Sequence, residues 1–229
     1  MFDDLWIKKR LESNPIYQTA FTHRSFLNET SENIESNERL EFLGDSVLSF
    51  IVSSYLYDRR KADTEGLLTN LRSYIVKTKS LAQASKQLNL GSFLKLSKGE
   101  EVSGGRENIQ LLANTYEALL GALYLDAGIE KATEFVSETL ITYFEKEITQ
   151  GPPKDAKSQL QELTQNQTKQ SPKYKILRTE GPDHAKEFTV GVFIQGNLVG
   201  EGRGYSKQIA EEEAAAKALD FLSKNSPQL

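Results

Sequence analysis

The 229 residues include no cysteine, which excludes disulfides, thiolate metal ligands and a cysteine nucleophile. With 38% hydrophobic and 26% charged residues there is material for one or two packed domains, and no run approaches the roughly 20 apolar residues of a membrane span. The net charge of −4 argues against a polyanionic partner until its distribution is considered. Residues 154–229 carry 11 basic and 10 acidic side chains, which leaves 17 basic and 22 acidic, a net charge of −5, in residues 1–153. Such a first part attracts a phosphate backbone only if cations neutralise its carboxylates. The start, MFDDLWIKKRLE, has acids and no apolar run, so it does not read as a signal peptide, and a cytoplasmic location is the expectation.

In chain order, Phe2 to Leu11 and Ile16 to Phe21 read as short helices, the second following Pro15. Thr22 to Ser25 is a polar turn in which His23 is expected to be a hydrogen-bonded structural histidine. Asn28 to Ser36 reads as a loop. The run Asn37 to Ser54, NERLEFLGDSVLSFIVSS, dominates the first half. At 100° per residue Leu40, Leu43, Val47, Phe50 and Ile51 share an apolar arc, and Glu38, Glu41 and Asp45 lie opposite. Ser36 or Asn37 is placed to cap the helix. Two features go beyond a solvated acidic face. Gly44 sits mid-helix, at about 1 kcal/mol against alanine, and Phe42 lies among the acids where solvent favours a polar residue.

A further helix is expected after Asp63 or Thr64, with Leu67, Leu68, Leu71, Ile75 and Val76 as its core stripe and Glu65 in its first turn. Lys77 to Leu88 continues helical, with Leu81, Ala84, Ser85 and Leu88 inward, until Gly91 breaks it. Residues 97–107, SKGEEVSGGRE, read as a charged loop. Helices then run from about Ile109 to Asp126 and from about Ile129 to Glu147. Within the first of these, LLANTYEALLGALYLDAG is apolar almost all round, with Asn114 and Glu117 alone on the other side. Ala118 and Gly121 would admit a second helix closely. A lone glutamate there is costly to bury unless it pairs with an arginine, such as Arg39 or Arg72, or binds a cation. No strand signal occurs in residues 1–148, so the first domain is expected to be all-α.

Thr149 to Pro153, TQGPP, marks a linker, and the expected organisation is residues 1–148, a linker at 149–154 and a second domain at 155–229. Beyond the linker the periodicity changes. Ala156 to Thr164 is helical, Lys173 to Arg178 and Phe188 to Ile194 alternate as strands, and Leu198 to Gly202 makes a third. Gly196-Asn197 is a turn signal. Ser206 caps a last helix whose Ala210, Ala214, Ala218, Phe221 and Leu222 face inward. The fold class is therefore an all-α domain followed by an α+β domain of order α-β-β-β-α.

NERLEFLGDSVL, preceded by a Thr-His-Arg-Ser element, resembles the signature of the ribonuclease III family of double-stranded-RNA endonucleases. Residues 155–223, with GxGxSK entering the last helix and EEEAAAKAL within it, are similar to a double-stranded-RNA-binding domain. The resemblance implies the bacterial class with one nuclease domain and one C-terminal RNA-binding domain. It implies metal-dependent endonucleolytic cleavage to 5′-phosphate and 3′-hydroxyl ends, in ribosomal precursor and messenger RNA processing. Set side by side, the two helices bring Glu41, Asp45, Asn114 and Glu117 together, and hard oxygen ligands without His or Cys suit Mg²⁺, with Mn²⁺ able to substitute. Glu41, Asp45 and Glu117 match the family's catalytic metal ligands, and Glu38 and Glu65 match acids linked to substrate binding and local structure. Position 114 departs: the family's usual residue is Asp, and the amide here removes one charge in four. A non-cleaving RNA-binding regulator, natural or engineered, is therefore the alternative, and a structural protein of a ribonucleoprotein particle is a second.

The resemblance also implies a homodimer in which an aromatic residue of the signature helix, here Phe42, plugs into the partner, whereas periodicity alone fits a core phenylalanine equally. On the second domain it implies RNA contacts from Ser158, Gln161, Glu162 and Gln165 on the first helix, from His184 in the Pro182-Asp183-His184 loop, and from Ser206 and Lys207 at the start of the last helix. The basic residue usual after Lys207 is Gln208 here, and Glu211 to Glu213 follow. Fewer phosphate contacts imply weaker binding and a shallower salt dependence.

Overall fold

Asp3 starts the first helix, α1 (Asp4–Ser13), by accepting the Trp6 amide N–H at 2.8 Å. Asn14 does the same for α2 (Pro15–Ala20), where proline occupies the first turn. The structure, a computed structural model, describes residues 2–151, 155–182 and 185–225, except the side chains of residues 167, 168 and 225. After a 3₁₀ turn at Arg24–Asn28 come α3 (Glu38–Arg59), α4 (Glu65–Ile75), α5 (Thr78–Gln87), α6 (Lys98–Val102), α7 (Ile109–Thr139) and α8 (Glu145–Gln150). The chain divides into two units, Met1–Pro152 and Pro153–Leu229. Among the described residues of the first unit there is no strand, only an isolated bridge between Thr22 and Lys95.

The first unit is built on α3 and α7, the two longest helices, packed along one another. Glycines on both make this possible. A Cβ on Gly44 of α3 would collide with the Glu117 backbone carbonyl of α7, and a Cβ on Gly121 of α7 would collide with the Leu40 carbonyl of α3. Leu40, Val47, Leu48, Ile51, Val52 and Leu56 of α3 are buried against Tyr116, Leu119, Leu120 and Leu123 of α7 and their neighbours. At one end Phe2, Trp6, Tyr17, Tyr116 and Phe135 form an aromatic cluster, with Phe2 edge-on to Phe135 at 5.1 Å.

Several sequence expectations are corrected. Phe50 and Leu67, assigned to core stripes, are 62% and 50% exposed. The buried arc of α3 is centred on Gly44, where α7 presses, and not on Leu43, so Phe50 rotates out. Neither Ser36 nor Asn37 caps α3 with its side chain: Ser36 donates to Glu38, and the buried Asn37 donates to the Ala20 carbonyl. Asp63 and Thr64 likewise make no cap on α4, because Asp63 accepts from Arg60 instead. The helix over 77–88 starts afresh at Thr78 and ends at Gln87, just before Asn89, which takes φ 52°. Gly91 serves instead to let the Arg106 carbonyl approach. SKGEEVSGGRE is not a loop: Ser97 caps α6, and Arg106 fastens the segment by donating to the carbonyls of Gly91 and Leu94 at 3.0 and 2.9 Å. The break expected between Asp126 and Ile129 falls at Gly128 (φ 81°), where α7 is two helices meeting at a kink. The second ends at Thr139 and not Glu147, and residues 141–150 form a 3₁₀ turn and α8. Thr149 and Gln150 of the expected linker belong to α8, and Arg60 holds this end by donating to the Ile148 carbonyl at 2.8 Å.

The second unit comprises α9 (Ala156–Thr168), β1 (Lys173–Glu180), β2 (Glu187–Ile194), β3 (Asn197–Gly204) and α10 (Lys207–Asn225). The sheet is antiparallel in the order β1-β2-β3. Leu160, Val192, Ala214, Ala215 and Ala218 form its core. The small residues matter here too, since a Cβ on Gly200 or Gly202 of β3 would meet the α10 backbone. The β2–β3 turn is Gln195-Gly196, both at positive φ, and not Gly196-Asn197, because Asn197 already pairs with Ile194. Phe221 is 49% exposed and not inward. No described helix is long and apolar enough to cross a membrane.

Candidate functional site

The glycine seam between α3 and α7 determines what lies beside it. Glu38, Glu41 and Asp45 from α3 and Asn114 and Glu117 from α7 line one polar cavity of about 670 Å³, together with His23, Arg24 and Gln110. Gly44 follows Glu41 by three residues and precedes Asp45, so the helices touch where their acids meet.

No positive side chain pairs with these carboxylates among the described residues, apart from Arg24, 3.5 Å from Glu38. The arginines considered as partners for Glu117 are engaged elsewhere: Arg39 faces Glu35 at 3.6 Å and Arg72 donates to Ser53 at 3.0 Å. Burial pushes the Glu117 carboxyl up to about 7, and the neighbouring Asp45 and Glu41 charges add to the effect. Burial also raises Glu41, as do Glu38 and Asp45, while a hydrogen bond from Asn114 acts the other way. Acids that repel one another without a counter-charge are a donor set suited to a hard divalent cation. Among the described residues no three Asp, Glu or His side chains are already gathered as a closed cage, so the carboxylates share the cavity and would have to draw in on an ion.

The structure separates other residues read from the sequence. Glu65 lines a different cavity, of about 610 Å³, with Phe50, Tyr57, Leu68 and Arg72, and accepts a hydrogen bond from Thr69. Phe42 is 79% exposed, so it is not a core residue, and it borders a groove lined by Ile16, Leu40, Leu43 and Leu125. His23 is hydrogen-bonded, as expected, with its Nδ1 accepting the Ser25 N–H, and burial lowers its basicity, but it also lines the acidic cavity.

On the second unit Ser158, Gln161, Glu162 and Gln165 are exposed along α9, and Ser158 also donates to Asp155, the α9 cap. Ser206 accepts the Ile209 N–H at 3.2 Å and so caps α10, leaving Lys207 exposed at its start. His184 lies outside the described residues. Glu211 to Glu213 are not a free acidic face. Glu211 pairs with Lys157, Glu212 accepts the Ala156 N–H, and Glu213 accepts the Arg203 N–H at 2.6 Å and pairs with Lys217. Two site neighbours escaped the sequence reading. Gln110 stands one helical turn before Asn114 and bonds it, a spacing visible in the sequence. Arg24 enters the cavity from the Thr-His-Arg-Ser element, and only the fold brings it there.

Residues 13–144 match the family model described as Ribonuclease-III-like, and residues 156–222 match the double-stranded RNA binding motif. A protein named Ribonuclease 3 from Pelotomaculum thermopropionicum is 48% identical over 201 residues, 87% of this chain and 83% of that protein. One of the same name from Clostridium beijerinckii is 44% identical over 92% of this chain and 90% of its own. A nuclease-domain structure of ribonuclease III from Campylobacter jejuni, described as flexible in a region involved in dimer formation, is 37% identical. It superposes with a TM-score of 0.54 over 60% of this chain and 96% of its own.

Proposed function

The chain belongs to the ribonuclease III family, as an endoribonuclease with a double-stranded-RNA-binding domain, and we propose that it cleaves duplex RNA by metal-dependent hydrolysis, leaving 5′-phosphate and 3′-hydroxyl ends. The observation that carries this reading is the shared cavity of Glu41, Asp45 and Glu117, acids from two helices with no paired cationic side chain among the described residues. These three carboxylates would hold Mg²⁺ or Mn²⁺. When bound, the ion supplies an ionised water and stabilises charge on the transferring phosphate and the leaving oxygen. The chain's own residues set the geometry. Glu117 must give up its proton for its carboxylate to take part, Asp45 and Glu41 favour that exchange once their charges are neutralised, and Arg24 with Glu38 borders the path of a phosphate backbone into the cavity.

The proposal extends to a homodimer with two such centres cutting opposite strands. An aromatic ring 79% exposed beside an apolar groove supports Phe42 as its contact. The α9 surface and the Ser206–Lys207 end of α10 would read duplex shape and phosphates. Ribosomal precursor and messenger RNA in the cytoplasm are the proposed substrates. A single specific observation favours the second reading, a binding-only regulator: Asn114 withholds one charge from the site.

The test is a long RNA duplex with Mg²⁺, given the chain as it stands, Asn114→Asp and Asp45→Ala, with end-group mapping of products. Cutting by the native chain and not by Asp45→Ala supports the enzyme with a tolerated asparagine. Cutting by Asn114→Asp alone supports the regulator. Cutting by none, with Mg²⁺ or Mn²⁺, removes the metal-dependent reading.

A further inference from the structure

The sheet of the second unit has two faces, and the helices cover one of them. Val192 of β2 is buried with Leu160 of α9 and with Ala214, Ala215 and Ala218 of α10. Successive strand residues alternate, so its neighbours Gly191 and Phe193 stand on the other face. Antiparallel pairing sets Lys173 of β1 opposite Phe193 and Lys175 opposite Gly191. A Cβ on Gly191 would meet Leu198 Cδ1, Leu177 Cδ1 and Phe193 Cε2 at 2.8, 2.9 and 3.1 Å, so three apolar side chains converge over this glycine. Leu177 and Leu198 are nevertheless exposed. Beside this patch Lys173, Lys175 and Phe193 line a cavity of about 530 Å³ with Gln170, Ser171 and the Gln195-Gly196 turn. Lys175 Nζ stands 5.3 Å from the Phe193 ring centroid. No described acid lines the cavity, and neither lysine pairs with a described acid, whereas Lys157, Arg178, Lys217 and Lys224 of the same unit each do.

We propose that this corner of the open sheet face binds single-stranded RNA, apart from the surfaces assigned to the duplex. Ser206 and Lys207 follow the far end of β3, where Gly204 pairs with Phe188, whereas Asn197 pairs with Ile194 at this end. Charge and chemistry select the ligand. Two ammonium groups without a counter-charge attract phosphates. An aromatic ring flanked by leucines is a stacking platform, and an RNA needs unpaired bases to use it, because a duplex hides its base faces. Lys175 sets an ammonium beside the base that stacks on Phe193. Gly196 leaves room for the sugar-phosphate chain, since a Cβ there would meet nothing within 4 Å. The unit then carries two RNA sites of different kinds, one for duplex shape and one for an unpaired strand. This assignment is independent of the metal-dependent reading and rests on the second unit alone.

The test uses the full chain with a chelator, so that nothing is cut. Fluorescence anisotropy follows a labelled oligouridine of about 12 nucleotides and, separately, a labelled duplex of about 20 base pairs. Lys173→Gln combined with Lys175→Gln should weaken single-strand binding about tenfold and reduce its salt slope by about 1.4, as expected for two phosphate contacts. Phe193→Leu keeps apolar bulk without the ring and should weaken it about tenfold as well, whereas Phe193→Tyr should retain native affinity. Duplex affinity should stay nearly native in all of these, and Lys207→Gln should show the reverse pattern. The lysine pair is exposed and leaves the core intact, so the test stands even if Phe193→Leu lowers the melting temperature. Equal losses for single strand and duplex would reduce the lysines to general attraction and overturn the site. A loss in the lysine pair without one in Phe193→Leu would do the same, as would a native chain that binds duplex but no single strand. Unchanged single-strand binding in the lysine pair, with self-association that the pair abolishes, would make the face a contact between copies instead. A native chain that binds neither RNA overturns the duplex-binding reading of this unit with it.

Discussion

Gly44→Ala places a methyl group on the seam that brings the two acidic helices together. Its Cβ would stand 3.1 Å from the Glu117 Cα and closer still to the Glu117 carbonyl. An ordinary carbon–oxygen contact is about 3.3 Å or more, so α3 and α7 must part locally by about 1.5 Å, and the obstacle is backbone that no rotamer change relieves. Overpacking of this kind costs about 3 kcal/mol, and alanine's better helix propensity returns about 1 kcal/mol, leaving a net loss of about 2 kcal/mol. For a unit of this size that lowers the melting temperature by about 4–8 °C. Thermal unfolding followed at the helical circular dichroism band measures it. Gly66→Ala in α4 is the control, because a Cβ there meets nothing within 4 Å, and the same propensity gain should leave it equal to the native chain or slightly more stable. The two substitutions are chemically identical and differ only in what the methyl group meets. Gly44→Ala melting at or above the temperature of Gly66→Ala refutes the close-approach argument.

Asp126 accepts hydrogen bonds from Arg10, Asn14 and Tyr17 at 2.8–2.9 Å, tying α1 and α2 to α7, so Asp126→Ala should cost about 2–3 kcal/mol by urea unfolding, and a loss under about 0.5 kcal/mol contradicts the tie. The Tyr17 hydroxyl bond holds the Asp126 carboxyl below its usual range, so its contribution is complete above about pH 4 and disappears as pH falls through the folded value; an acid-unfolding curve that Asp126→Asn leaves unshifted would contradict this. Glu117 has the opposite sign. Raised to about 7, chiefly by burial, it binds a proton more tightly in the folded state, so without divalent ions the chain should lose stability as pH rises from about 4.5 to about 7, and Glu117→Gln should abolish that slope. Replacing Glu211, Glu212 and Glu213 together by glutamine should lower the melting temperature of the second unit, because each acid accepts a bond that fixes α9, β3 or α10; unchanged melting with tighter duplex binding would show that they merely repel RNA.

What the sequence made legible follows from range. The α3 and α7 helices, the paired acids and the α-β-β-β-α order are local patterns with a fixed period, and each is found in the fold. Ala118 and Gly121 even announced the close helix approach that Leu40 completes. The failures arise where a partner decides. Period alone put Phe50 in the core, but α7 presses on Gly44 and rotates the buried arc away from it. Glycines and charges over 97–107 suggested a loop, but one guanidinium that satisfies several carbonyls fixes a helix and two 3₁₀ turns around it. Glu211 to Glu213 read as a charge run because their partners, Ala156 and Lys157 on α9, Arg203 on β3 and Lys217 one turn on, are mostly distant in sequence.

The seam also bears on why the acids remain unpaired. A helix pair held apart by leucines would leave room for an arginine to reach Glu117, and Arg39 and Arg72 are both on the first unit to supply one. With Gly44 and Gly121 in contact with opposing backbone, Glu117 is half-buried at the edge of the polar cavity, while Arg39 and Arg72 are engaged by Glu35 and Ser53 instead. Burial without a counter-charge is costly, and Glu117 meets that cost by taking up a proton near neutral pH. The same packing that stabilises α3 against α7 thus favours the protonated, unpaired carboxylate, and on the proposed metal-dependent reading a small cation would displace that proton. Filling the seam and neutralising the acid are then two routes to one loss, and Gly44→Ala should weaken Mn²⁺ uptake although it removes no ligand. Native Mn²⁺ affinity in Gly44→Ala would separate the packing of the helices from the site they carry.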